Sequence, residues 1–195
     1  MISPDRPSPR RLLVAALDSE LVAFQDELPG FDRLVTGPGK LPAAYALTRA
    51  LDAGSYADIL VVGTAGAISD DVAGGVYDVT AALQHDVRDL DGVVGNHISL
   101  PARVSTGADG GAVIATGDHF VDDATTVALI RELGATLVDM ETYAYIWVAQ
   151  RFGVPIRVLK AVSDRAQDGA TQLWDDTVAA CSAQLRERVR SEYGV

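Results

Sequence analysis

The chain has 195 residues, a length typical of one domain with a substantial hydrophobic core. Hydrophobic residues make up 48% of it and the mean hydropathy is +0.15, which excludes a disordered chain. The net charge of -11 argues against nucleic acid and against anionic membrane surfaces as partners, because binding phosphates requires clustered lysine and arginine. The composition suits a protein that binds a neutral or cationic small molecule.

The beginning of the chain predicts a short leader followed by one domain. Residues 1–10 contain three prolines and two arginines and predict a flexible leader, and residues 11–195 predict a single domain. The apolar run Leu12–Leu17 stops at Asp18, short of the roughly 7–15 residues that an export signal needs. A lone Cys181 forms no internal disulfide. These features predict a cytoplasmic protein.

Apolar runs alternate with amphipathic segments along the rest of the chain. The runs are rich in Val, Ile and Leu and predict buried strands at residues 11–17, 58–64, 76–83, 112–117, 135–140 and 156–163. The segments between them predict helices at residues 19–28, 40–54, 122–133, 141–152 and 171–192. This alternation predicts an α/β fold: a single domain with a mixed, largely parallel central sheet flanked by helices.

Polar and glycine residues cluster where predicted strands end. In α/β sheets, ligands bind outside the carboxyl ends of the strands, so these positions are candidates for a site. The clusters are Asp18–Glu20, Gly63–Gly66, Gly117–Phe120, Met140–Glu141 and Ser163–Asp164. Four of the five carry a carboxylate, and this convergence predicts an active site.

Each cluster also has a purely structural interpretation. Glu20 could stabilise the start of a helix, and Asp164 could cap a turn. Residues 37–40, Gly-Pro-Gly-Lys, could bind phosphate, but a turn leading into the next helix is the favoured interpretation. The histidines have no ligand spacing and the glycine loop at residues 63–66 is not a Walker A loop, so neither a zinc site nor a P-loop is expected.

Several segments resemble one enzyme family. VDMETYAY and RFGVPIRVLKAVSD are similar to the signature of the nucleoside phosphorylase and nucleosidase superfamily, whose members carry a Met-Glu pair and a strand ending in Ser-Asp. VAALDSELVAF is similar to the start of its 5′-methylthioadenosine/S-adenosylhomocysteine nucleosidase branch. LVTGPGKLPAAYA, ADILVVGTAGAI and ATGDHFV follow in the expected order. The resemblance extends from Arg11 to about Asp168 and implies a nucleoside phosphorylase-like fold.

The resemblance also implies the catalytic roles. Glu20 would hold and deprotonate the attacking water, with Thr64 positioning it. Asp164, supported by Ser163, would donate a proton to N7 of a purine. Glu141 would accept hydrogen bonds from the ribose 2′- and 3′-hydroxyls.

The remaining implied residues would bind the substrate. Phe120 would stack on the base, the backbone of Val121 would contact the base edge, and Met140 would pack against the sugar. Gly66 and Lys160 complete the expected binding set. The chain departs from the family pattern at Ala67, where relatives have glycine, and at Lys160, where the nucleosidases have arginine.

The activity implied is hydrolysis of the N-glycosidic bond of a purine nucleoside by a homodimer that uses no cofactor and no metal. A carboxyl group at the base, a second at the water and a third at the sugar suit this chemistry, by analogy with glycoside hydrolysis. The alternatives are a phosphate-dependent phosphorylase, a nucleosidase of the futalosine type and a nucleoside-binding member of the fold without catalysis. The acidic Glu20 favours water over phosphate as the nucleophile.

Overall fold

The computed structural model describes residues 10–25, 28–166 and 170–195, so the predicted leader lies outside it except for Arg10. The strands are β1 (Arg11–Ala15), β2 (Phe31–Val35), β3 (Ile59–Ala67), β4 (Val76–Gln84), β5 (Arg103–Ser105), β6 (Ala112–Thr116), β7 (Leu137–Asp139) and β8 (Ile156–Asp164). The helices are a 3-10 turn (Asp18–Leu21), α1 (Lys40–Ala53), α2 (Ala124–Glu132), α3 (Thr142–Phe152) and α4 (Ala170–Tyr193). Within these described ranges, no helix has the length and apolarity that crossing a bilayer requires.

The eight strands form one mixed sheet. Its order is β2-β1-β3-β7-β6-β4-β5, and β8 pairs with both β3 and β4. Strand β8 therefore closes β3, β7, β6 and β4 into a ring. The pairs β1–β2, β1–β3, β3–β8, β4–β6 and β6–β7 are parallel, whereas β3–β7, β4–β5 and β4–β8 are antiparallel. The predicted mixed, largely parallel sheet is confirmed.

Helices cover both faces of the sheet because successive side chains of a strand point to opposite sides. In β1, Leu12 and Val14 pack in one core cluster with α1 and α3. Leu13 and Ala15 pack in a second cluster, which includes Cys181 of α4. That cysteine is buried as a small apolar residue. A sheet that is buried on both faces explains why its central strands are continuous apolar runs.

The strand pairing brings distant clusters to one edge. In the parallel β3–β8 pair, a register shift between Ala65 and Gly66 sets Gly66 opposite Asp164. In the parallel β6–β7 pair, Thr116 lies opposite Asp139. Strand β7 also pairs with β3, which joins the two pairs. The carboxyl ends of β3, β6, β7 and β8 therefore surround one region.

Two features of the chain differ from the sequence-based expectation. The helix predicted over residues 19–28 is wrong, since only the 3-10 turn forms and residues 22–25 are not helical; residues 26 and 27 lie outside the described part. The Glu20 side chain bonds backbone groups of β3 and of the segment after β1, which ties the turn to the sheet. Strands β2 and β5 were not predicted, because the charged pair Asp32–Arg33 interrupts the apolar residues of β2 and because β5 has only three residues.

Candidate active site

A cavity of about 250 Å³ lies at the carboxyl ends of these strands. All five predicted clusters contribute to its wall. Of the predicted site residues, those that line it are Glu20, Thr64, Gly66, Phe120, Val121, Met140, Glu141, Ser163 and Asp164. Lys160 is buried but is not among the lining residues. The structure therefore brings nine of the ten predicted site residues together around one cavity.

Glu20 is held in place by four hydrogen bonds. Its Oε2 accepts the backbone N–H groups of Ala16 and Leu17, both at 3.1 Å. Its Oε1 accepts the backbone N–H of Thr64 at 2.7 Å and the Thr64 hydroxyl at 3.0 Å. These donors, two on each oxygen, fix the orientation of the carboxylate. The bond to Leu17 is the helix-start contact that the structural interpretation predicted, and Glu20 also lines the cavity.

Glu141 is the residue immediately before α3 and lines the cavity. It is buried, and its Oε1 accepts the backbone N–H of Gly39 at 2.8 Å. Burial raises the pKa of Glu141 to about 7, and the negative charge of Asp139 acts in the same direction. The positive charge of Lys160 and the bond from Gly39 oppose that rise. This carboxyl group therefore carries a proton more readily than an exposed glutamate does.

Asp139 and Lys160 form a buried ion pair beneath the cavity. The Lys160 Nζ lies 2.9 Å from Asp139 Oδ2, and each side chain is 2% exposed. Burial by itself lowers the pKa of Lys160, but the carboxylates of Asp139, Glu141 and Glu20 outweigh burial and raise it. Lys160 therefore remains a cation that offsets the negative charge of the surrounding carboxylates.

Asp139 also connects three elements around the site. Its Oδ1 accepts the hydroxyl of Thr116, at the end of β6, at 2.7 Å. Its Oδ2 accepts the backbone N–H of Thr142 at 3.0 Å and the Thr142 hydroxyl, at the start of α3. Asp139 was not predicted as a site residue from the sequence. Its position immediately before the Met-Glu pair, at the end of a predicted strand, could have identified it.

Asp164 is the last residue of β8 and lines the cavity. Its Oδ1 accepts the backbone N–H of Ala166 at 2.8 Å, and its Oδ2 accepts the Ser163 hydroxyl at 2.7 Å. A Cβ added to Gly66 would come within 3.0 Å of Asp164 Oδ1, so a glycine is needed there for the close approach. Asp164 does cap a turn, as the structural interpretation predicted, and it also faces the cavity.

The remaining lining is mostly apolar. Phe120 stands at the mouth, 41% exposed, and Val121 is buried behind it. Met140 lies between the two carboxyl residues Asp139 and Glu141 in the wall. Flat apolar surface next to a row of acids suits a ligand that combines an aromatic base with a hydroxylated sugar.

Lys40 does not provide an anion site. Its Nζ donates to Asp86 Oδ1 at 2.6 Å and to Gln84 Oε1 at 3.1 Å, and it lies 3.6 Å from Asp118 Oδ2. The backbone N–H of Lys40 also donates to Asp118. The lysine therefore joins the turn before α1 to the loops after β4 and β6. The turn interpretation of residues 37–40 is the one that agrees with these contacts.

A buried histidine supports the loop that carries Phe120. His85 lies under Gly117, where an added Cβ would come within 2.2 Å of His85 Nε2. Burial lowers the pKa of His85, so the ring is neutral at pH 7. Within the described part of the chain the histidines form no metal-binding group with other ligand residues.

Trp174 of α4 is a lining residue that the sequence did not reveal. Its indole Nε1 donates to the Thr64 hydroxyl at 2.8 Å, across 110 residues of sequence. Trp174 does not follow a predicted strand and belongs to no motif spacing in the sequence. It reaches the cavity only because α4 packs on β8.

Comparison with known proteins confirms the family. A family model described as the phosphorylase superfamily matches residues 34–191. The chain therefore belongs to the phosphorylase superfamily, and the resemblance seen in its sequence is confirmed.

Individual relatives agree with this assignment. A 5′-methylthioadenosine/S-adenosylhomocysteine nucleosidase of Shewanella piezotolerans is 28% identical over 183 residues, covering 82% of this chain and 79% of the relative. A nucleosidase of the same name from Treponema pallidum is 47% identical over 73 residues, a match that spans 37% of this chain but only 26% of the relative. The solved structure of a futalosine hydrolase mutant of Helicobacter pylori has a TM-score of 0.84 at 21% identity, covers 94% of this chain and 98% of that chain, and confirms the fold.

The raised pKa of Glu141 predicts a pH-dependent cost to stability. As pH rises from 4.5, the ordinary pKa of Glu141, to about 7, the unfolded chain releases a proton that the folded protein retains, so Glu141 lowers the free energy of unfolding over that range. We expect Glu141→Gln to be more stable than the unmodified protein at pH 8, by roughly 2–3 kcal/mol, with the gain vanishing towards pH 4.5. Urea denaturation at several pH values measures this difference. The matched control is Glu187→Gln on the exposed side of α4, and an equal gain at every pH would contradict the prediction.

Proposed function

We propose, from its membership of the phosphorylase superfamily and from the carboxyl groups of its cavity, that the chain hydrolyses the N-glycosidic bond of purine nucleosides of the 5′-methylthioadenosine or S-adenosylhomocysteine type. The products are a free base and a free sugar. The observation that carries the proposal is one cavity into which Glu20, Glu141 and Asp164 all face. The names of the relatives supply the purine nucleoside as the substrate class.

Asp164 is the general acid in this proposal. Breaking the bond leaves negative charge on the departing base, and a positioned carboxyl group neutralises it by giving a proton to N7. The Ser163 hydroxyl and the Ala166 N–H fix the two oxygens of Asp164, which orients the acid. Phe120 and Val121, which line the same cavity, form the surface for the base.

Glu20 holds the attacking water and accepts its proton. Three of the four donors to Glu20 are backbone N–H groups, which cannot turn away, so its carboxylate has one fixed orientation. The Thr64 hydroxyl is the one donor that can rotate, and it lies at the oxygen where water would bind. Thr64 therefore positions the water together with Glu20.

Glu141 holds the sugar. Its Oε1 is bound to Gly39, while no hydrogen bond to Oε2 is seen among the described residues, which leaves that oxygen for ribose hydroxyls. Met140 supplies an apolar surface beside it. Lys160 is buried behind the lining residues and is paired with Asp139. Its positive charge stabilises the nearby carboxylates in their ionised form while the oxocarbenium-like sugar develops.

Water is favoured over phosphate because the described lining contains no lysine and no arginine. The two nearest lysines are already paired, Lys40 with Asp86 and Lys160 with Asp139. An incoming phosphate would meet the Glu20 carboxylate, and no lysine or arginine in the described lining is free to pair with it. The same charge pattern disfavours a nucleotide and favours a nucleoside with an uncharged or zwitterionic 5′ substituent. A nucleoside of the futalosine type remains the second candidate, since relatives include aminodeoxyfutalosine nucleosidases.

A dimer is proposed for the active protein. Leu41 and Tyr45, one turn apart on α1, are 81% and 71% exposed, and Leu90 and Ile98 of the loop after β4 are 86% and 67% exposed. The Lys40–Asp86 ion pair joins the start of α1 to that loop, which brings both apolar pairs to the same end of the molecule. Exposed apolar groups of this kind indicate a protein–protein interface. We also propose a cytoplasmic location, which suits a free buried thiol.

The nucleophile is tested by incubating the protein with 5′-methylthioadenosine, with and without phosphate. We expect free adenine and free methylthioribose at the same rate in both, and no sugar 1-phosphate. Adenosine 5′-monophosphate is the matched substrate control and should be cleaved at least about 100-fold less efficiently, because its charge meets an acidic cavity. Turnover that depends on phosphate would identify a phosphorylase, and tight binding without turnover would identify a nucleoside-binding protein.

The general acid is tested with Asp164→Asn. We expect folding and nucleoside binding to be retained and turnover to fall roughly 10²–10⁴-fold, the usual contribution of a positioned general acid. A nitrophenyl riboside, whose leaving group needs no protonation, should lose far less. Melting temperature and both turnover rates are measured on the same variant. If Asp164 only caps a turn, stability falls by about 1 kcal/mol while purine release per folded molecule is nearly unchanged.

The interface is tested with the double variant Leu41→Glu and Tyr45→Glu. Two added charges on the apolar pair should convert a dimer into a monomer in analytical ultracentrifugation, because burying unpaired charges is costly. The matched control introduces the same two glutamates at Ala179 and Ala180, which are exposed on α4. A chain that sediments as a monomer before any substitution would refute the proposed dimer.

A further inference from the structure

Trp174 is bound to the group that positions the water. Its indole lies in the cavity wall, half-buried, and its Nε1 donates to Thr64 Oγ1 at 2.8 Å. The same hydroxyl donates to Glu20 Oε1 at 3.0 Å. Trp174, Thr64 and Glu20 therefore form a chain of hydrogen bonds that runs from α4 to the 3-10 turn after β1.

The direction of this chain is fixed by the chemistry of the indole. An indole N–H can only donate, so Thr64 must accept from Trp174. The single hydrogen of the hydroxyl is then directed towards Glu20. Without the indole, the Thr64 hydroxyl could rotate and point its hydrogen elsewhere in the cavity.

Fixing this hydroxyl matters because every other donor to Glu20 is already rigid. The N–H groups of Ala16, Leu17 and Thr64 belong to the backbone. Among the described residues, the Thr64 hydroxyl is therefore the one donor to Glu20 that can rotate. Its geometry depends on a side chain from another element.

We propose that Trp174 is a positioning residue for hydrolysis: it orients the Thr64 hydroxyl, and through it the water held by Glu20. This inference rests on the proposed function for its kinetic consequence, whereas the contact itself is a property of the free protein. A tryptophan that served only as an apolar wall would affect substrate binding and would have no coupling to Thr64.

The contact is tested first, without substrate, by NMR. The chain contains two tryptophans, so Trp147→Phe leaves Trp174 as the source of a single indole N–H signal. Trp147 lies on α3 beside Arg151 and does not line the cavity. In this background, Thr64→Val should shift the indole N–H signal upfield and speed its exchange with solvent, while Thr64→Ser should preserve both. If Thr64→Val changes neither the chemical shift nor the exchange rate of the indole N–H, the proposal is wrong.

The kinetic role is tested by a double-mutant cycle. Trp174→Phe keeps the aromatic wall but removes the donor, and should lower kcat about 3- to 10-fold with a smaller change in KM, the range expected for one neutral hydrogen bond. In a Thr64→Val background the same substitution should change kcat less than about 2-fold, because the acceptor is already absent. Melting temperatures verify that each variant folds.

The outcomes separate the two proposals. Equal losses from Trp174→Phe in both backgrounds, or a change confined to KM, would refute the positioning role while leaving the hydrolase intact. If the unmodified protein cleaves no nucleoside, the proposed function fails, and the NMR comparison still decides whether Trp174 orients Thr64.

Discussion

The buried ion pair between Asp139 and Lys160 is the interaction on which the site depends. Three carboxylates, Glu20, Asp139 and Glu141, surround one ammonium group in a region with little access to water. Burying carboxylates together is costly, and the positive charge of Lys160 offsets part of that cost, as its lowering effect on the pKa of Glu141 shows. One cation therefore permits a concentration of negative charge that a cavity for bond cleavage requires.

The ion pair also explains why the fold closes where it does. Asp139 binds Thr116 of β6, Thr142 of α3 and Lys160 of β8, so a single side chain fixes three elements against one another. The ring formed by β3, β7, β6, β4 and β8 then holds the strand ends at fixed separations. Rigid placement of this kind allows side chains from remote parts of the chain to act on one substrate.

The same arrangement carries a cost to stability. A glutamate whose pKa is raised to about 7 by burial is poorly solvated, and its ionisation lowers the free energy of unfolding at neutral and higher pH. His85 is a second case: its Nε2 has no hydrogen-bond partner in the described structure, and its ring packs against Gly117 at the start of the loop that carries Phe120. The polar groups with the least favourable surroundings thus lie in and around the cavity, where ligand or ordered water can satisfy them.

The sequence by itself determined the α/β architecture, six of the eight described strands, the four α-helices and nine residues of the cavity wall, because apolar periodicity and polar strand ends are local signals. It led to a wrong helix after β1, since the spacing of Phe24 and Leu28 is helical, whereas both side chains pack against the core with α4. Only the tertiary structure decided that Lys160 lies beneath the cavity, that Lys40 is neutralised by Asp86 and that Trp174 reaches Thr64. The Lys40–Asp86 contact joins residues 46 positions apart and the Trp174–Thr64 contact joins residues 110 positions apart. Both depend on the closure of the sheet and the packing of α4, which no local sequence pattern predicts.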